Sequence, residues 1–107
     1  MMEGNAVKRT ADLLKLLAHP ARLRILDELR RGEACVCHLQ AVLGQRQPYL
    51  SQQMQLLRDA GVTESRRDGT FIYYRLANPR VALLLETMLG PSDPQTHPVG
   101  CACPACQ

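Results

Sequence analysis

Five cysteines stand in 107 residues, and three of them crowd the last seven positions. The internal pair forms Cys35-Val36-Cys37 and is followed by His38. The terminal set is Cys101, Cys103 and Cys106, spaced Cys-x-Cys-Pro-x-Cys. The count is odd, which makes a disulfide framework a poor reading and leaves metal binding or thiol chemistry. Thiolates are soft donors that select soft ions. Three of them suit trivalent arsenic or antimony, As(III) or Sb(III), in a pyramid. Four suit Cd(II), Pb(II) or Zn(II) in a closed site. A single buried cysteine packs as a small hydrophobe, but two at this spacing beside a histidine ask for more.

Geometry limits how the internal pair can act. Residues i and i+2 lie about 200° apart on a regular helix, so Cys35 and Cys37 share one ion only if the helix starts at or after Cys35 or its first turn distorts. Cys35 and His38, at i and i+3, are neighbours on such a helix, which makes His38 a weaker candidate ligand. Residues 90–100 are rich in Pro and Gly and read as a linker. Extended, they span at most about 35 Å, enough to bring the terminal cysteines to the internal pair of the same or a second subunit. Tethering raises the local thiol concentration to roughly millimolar. The expected division is a folded domain over 1–90 and a linker with a Cys-rich metal-binding tail over 91–107.

The elements that must hold these residues follow from periodicity. A helix is expected over 5–17, broken at His19-Pro20, with Pro20 opening a second helix that carries Leu23, Ile25, Leu26 and Leu29. A short third helix is expected from about Ala34 to Leu43, ended by Gly44. A fourth runs from near Pro48 to Ala60 with Leu50, Met54 and Leu57 as its core face. Residues 62–67 and 71–76 read as two strands around Asp68-Gly69, a strong hairpin signal. Asn78-Pro79 opens a fifth helix that is apolar on more than one face, as at a subunit interface.

Helix, short helix, turn, helix, hairpin, helix is the order of a winged helix-turn-helix, a mainly α fold with a β-hairpin wing. The fourth helix would enter the major groove of double-stranded DNA. Its outward positions are expected to be Tyr49, Ser51, Gln52, Gln53, Gln55 and Arg58, with Gln47 at its start. Gln can bond adenine bidentately and Arg guanine, while Ser and Tyr can bond phosphate. The wing would add Arg66, Arg67 and Arg75. Over residues 46–75 five arginines face three acids, more than a merely solvated helix and hairpin need.

Taken together, Leu17-Ala18-His19-Pro20-Ala21-Arg22-Leu23-Arg24-Ile25-Leu26, Gln47-Pro48-Tyr49-Leu50-Ser51, Leu56-Leu57-Arg58-Asp59-Ala60-Gly61-Val62 and Arg66-Arg67-Asp68-Gly69 followed by Tyr73-Tyr74-Arg75-Leu76 resemble the ArsR/SmtB family of metal-responsive bacterial repressors over roughly residues 10–90. Cys35-Val36-Cys37-His38-Leu39 resembles the family's Cys-Val-Cys-Asp-Leu metal box, with His38 in place of the acid. Gln53 stands where many members carry His. The resemblance implies a homodimer built on the first and last helices, an inverted-repeat operator, and release of DNA when the ion binds. The zinc site of some members, made of Asp and His on the last helix, has no counterpart, since residues 79–89 hold only Glu86 and no His.

Composition narrows the remaining choices. With 46% hydrophobic and 21% charged residues the chain is globular. No apolar run approaches a membrane span, and the first residues do not form a secretory signal, so a cytoplasmic protein without a membrane partner is expected. A thiol redox or persulfide sensor on the same DNA-binding scaffold is the alternative. An enzyme is disfavoured, because neither a strand–Cys-x-x-Cys–helix unit nor a phosphate-binding glycine loop is present.

Overall fold

The computed structural model describes residues 2–94, with side chains from residue 4 onward. In chain order the elements are α1 (Met2–Leu17), α2 (Pro20–Leu29), β1 (Ala34–Cys35), α3 (Val36–Leu43), α4 (Gln47–Asp59), β2 (Thr63–Asp68), β3 (Phe71–Leu76) and α5 (Pro79–Leu89). Several boundaries have a local cause. Pro sits in the first turn of α2, α4 and α5, where its missing N–H costs nothing. Asn78 caps α5 by accepting from the N–H groups of Arg80 and Val81. Gly44 closes α3 at φ +68, a left-handed conformation that glycine adopts without a Cβ penalty.

One large cluster forms the main core. Leu17 of α1, Ile25, Leu26 and Leu29 of α2, Leu39 of α3, and Leu50, Met54 and Leu57 of α4 meet Val62, Tyr74, Val81 and Leu85. The recognition-helix candidate α4 is therefore seated on the core by the i, i+4, i+7 stripe its sequence shows. Among the described residues no helix is long and apolar enough to cross a membrane.

Three expectations shift. The first helix begins at Met2 rather than residue 5. The third helix does not include Ala34 and Cys35, which form a short strand beside β3 and leave Val36 as the first helical residue. Ala34 pairs with Tyr74 and Cys35 with Tyr73, so the hairpin becomes a three-stranded antiparallel sheet in the order β1-β3-β2. The hairpin turn also lies one residue later. Asp68 pairs with Phe71, leaving Gly69 and Thr70 as the loop, with Gly69 at φ +62.

Candidate DNA interface and thiol recess

The described face of α4 agrees with a DNA-reading role except at one residue. Gln47, Ser51, Gln52, Gln55 and Arg58 are exposed, and Tyr49 is half-buried. Gln55 donates to Asp59 and accepts from Arg58, so the last turn is braced along its own surface. Gln53 is the correction. It is buried, and its Oε1 accepts from Nε of Arg22 at 2.7 Å, while Nη1 of Arg22 donates to the Leu16 carbonyl. Gln53 thus ties α4 to α2 and the end of α1 and does not face a groove. The sequence carried the signal: 53 lies between 50, 54 and 57 on one helical stripe.

The wing arginines divide in the same way. Arg66 is held by Glu33 through three contacts of 2.7–3.0 Å and lies 4.6 Å over the Tyr73 ring. The hydrogen bonds that Arg66 donates to Glu33 are the main cause that holds its pKa above the ordinary arginine value. Arg75 is paired with Glu64 on the neighbouring strand. Arg67 lies opposite Ile72, is exposed, and has no such ion pair among the described residues.

Cys35 ends β1 and caps α3, its Sγ accepting from the His38 N–H at 3.3 Å. The helix therefore starts after Cys35, which is the condition the two thiols needed to escape opposite helix faces. Cys35 is buried and Cys37 half-buried. Both line one recess of about 360 Å³, together with Gln47 and Ser51 of α4 and Thr70 and Ile72 at the wing tip. His38 does not join them there. Its ring is buried, with Nε2 2.9 Å from Oε1 of Glu28, itself buried on α2. A partner ten residues away on another helix has no signature in local spacing, so this pairing was not legible beforehand.

Among the described residues no three His, Cys, Asp or Glu side chains gather as a metal site. Cys35 and Cys37 supply two soft donors, a fit in kind for a thiophilic ion but short of the three or four such an ion takes. Cys101, Cys103, Cys106 and the linker beyond residue 94 lie outside the described residues.

A short helix, a glycine turn, an exposed polar helix and a wing define a winged helix-turn-helix DNA-binding protein. Residues 19–65 match the bacterial regulatory protein, arsR family. The biofilm growth-associated repressor of Agrobacterium fabrum is 48% identical over 87 residues, covering 81% of this chain and 74% of that protein. The arsenic resistance transcriptional regulator ArsR1 of Pseudomonas putida is 41% identical over 78 residues, covering 72% and 60%. The solution structure of the homodimeric winged helix-turn-helix domain of Mb0332 from Mycobacterium bovis superposes with a TM-score of 0.74 at 34% identity, covering 81% of each chain. The chain belongs to the arsR family of bacterial regulatory proteins. It is a DNA-binding transcriptional regulator rather than an enzyme.

Proposed function

We propose that the protein is a metal(loid)-responsive repressor. A dimer built on α1 and α5 binds an inverted-repeat operator through Gln47, Tyr49, Ser51, Gln52, Gln55 and Arg58 of α4 and through the wing. A thiophilic ion, As(III) or Sb(III) or else Cd(II), Pb(II) or Zn(II), is held by Cys35 and Cys37 and completed by Cys101, Cys103 and Cys106. Binding of the ion loosens the grip on DNA. One observation carries the reading: Cys37 and the covered Cys35 both stand in the wall of the recess that Gln47 and Ser51 also line. An occupant there shares walls with the helix that reads DNA, so it need not act over a distance. The Pseudomonas putida relative, an arsenic resistance transcriptional regulator, supports a thiophilic inducer.

The chemistry of this chain's residues is simple. Deprotonated Cys35 and Cys37 supply charge and sulfur. A coupling of about 1–3 kcal/mol between ion and operator would loosen DNA about 5–150-fold.

The test is an anisotropy titration of the reduced protein on labelled DNA from its own upstream region, with each ion added separately under anaerobic conditions. Release by one ion at near-stoichiometric dose is expected. Cys35→Ala should bind DNA normally and fail to let go. Release of Cys35→Ala at the same dose would overturn the assignment.

A second reading rests on the donor count. Two thiols without a third described donor are enough for oxidation or persulfidation. DNA binding that no ion disturbs but mild oxidant or persulfide does would move the cysteines to that role.

A further inference from the structure

Cys35, Tyr73 and Arg66 occupy one rung of the sheet, because Cys35 pairs with Tyr73 and Arg66 pairs with Tyr73 from the other side. Cross-strand partners share a face, so the three side chains stand together. Cys35 and Tyr73 pack as a small buried cluster separate from the main core, each only 2% exposed. Arg66 lies over the Tyr73 ring, and Glu33 grips Arg66 from the residue that precedes β1. Glu33 is two residues from Cys35, so the contacts close a ring: carboxylate on guanidinium, guanidinium on aromatic face, aromatic ring against thiol, and backbone from Cys35 back to Glu33.

This ring explains two features that the DNA-binding reading leaves over. A wing arginine is spent on an internal carboxylate instead of being presented to phosphate. One thiol of the pair is covered although its neighbour Cys37 is half-buried.

We propose that Glu33 and Arg66 form a latch that holds Tyr73 over the Cys35 thiol, so that Cys35 is reached only when the latch opens. The converse follows by linkage, since whatever occupies Cys35 disfavours the latched state. Opening frees Arg66 and detaches the edge strand β2 from the entry to α3. The latch would therefore set how fast the sensor thiol responds, and its opening would be the first change the wing experiences. Its regulatory meaning rests on the thiol-sensing reading above; its existence does not.

The experiment follows the thiol directly, without metal or DNA. The full-length reduced chain carries Cys37→Ser, so that the peptide containing Cys35 has one thiol. N-ethylmaleimide labelling of Cys35 is timed by mass spectrometry, with and without Glu33→Gln. Loss of an exposed ion pair and a cation–π contact predicts labelling faster by roughly three- to thirtyfold. Arg66→Ala should give a similar acceleration, and the double variant no more than either alone. Urea unfolding of the same proteins separates local from global opening. An unchanged rate would overturn the latch. So would an acceleration no larger than the change in global unfolding equilibrium, or additive effects of the two substitutions. Because no ion enters the assay, failure here leaves the repressor reading standing, and metal-insensitive DNA binding would leave the latch standing.

Discussion

Gln53 shows how one residue can be polar, lie on the candidate recognition helix, and still belong to the interior. Its amide oxygen receives Arg22, whose other nitrogen reaches the Leu16 carbonyl, so a single part-buried guanidinium joins α1, α2 and α4. Gln53→Leu would keep much of the volume and remove the acceptor. Arg22 would then stay part-buried with one bond fewer, at a cost of about 1–3 kcal/mol. A urea midpoint lowered accordingly, with weaker DNA binding as α4 loses its tether, is the expected result. An unchanged midpoint would mean that Gln53 is not a strut. The same scale separates what spacing could reveal about the thiol site from what it could not. Cys35 and Cys37 were legible because Cys-x-Cys beside a helix start is chemically unusual. The Glu28–His38 pair and the Glu33–Arg66–Tyr73 contacts were not, because their partners lie 10 and 33 residues apart and meet only once the fold exists.

Most elements were legible because each has a period and punctuation of its own. Leu50, Met54 and Leu57 mark α4, Asp68-Gly69 marks the hairpin to within one residue, and Asn78-Pro79 marks α5. Strand β1 was missed because two residues have no period; Ala34 and Cys35 are extended only because β3 offers an edge to pair with. That addition changes the wing, since it anchors the hairpin beside the thiols and makes β3 the central strand. It also sorts the arginines. Arg66 and Arg75 are ion-paired within the sheet, whereas Arg67 shares a rung with Ile72, whose side chain lines the recess with Gln47 and Ser51. Arg67 is therefore the wing cation best placed for phosphate. Removing one phosphate contact lowers the slope of log affinity against log salt by about 0.9. Arg67→Ala should show that loss and weaken binding to all DNA sequences alike, while Arg75→Ala should change the slope less. Equal slopes for the two variants would remove the distinction.

At the scale of the whole molecule, the first and last helices carry apolar surface that is exposed among the described residues. Val7 of α1 is 68% exposed, and Leu83 and Met88 of α5 are 65% and 73% exposed. Single exposed apolar residues are normal on protein surfaces. Here they recur on the first and last helices, and a recess lined by Ala6, Arg9, Thr10 and Leu13 of α1 also takes in Asn78 and Arg80 at the entry to α5. Larger apolar patches mark interaction sites, and the related Mb0332 domain is homodimeric. A second copy placed here would bury that surface and present two α4 helices to DNA. Two-fold symmetry in the protein then demands two half-sites in the operator, with centres one helical turn or a multiple apart. Leu83→Glu with Met88→Glu places charges where burial is required, and an unpaired buried charge is strongly unfavourable. The double variant should sediment as a monomer at micromolar concentration, where the parent sediments as a dimer. It should retain its helical circular dichroism, because both positions face outward in the single chain. Operator affinity should fall steeply, since each protomer would then bind one half-site without its partner. A variant that stays dimeric would move the interface off α5, and a parent that is already monomeric would leave the inverted-repeat operator without its structural basis.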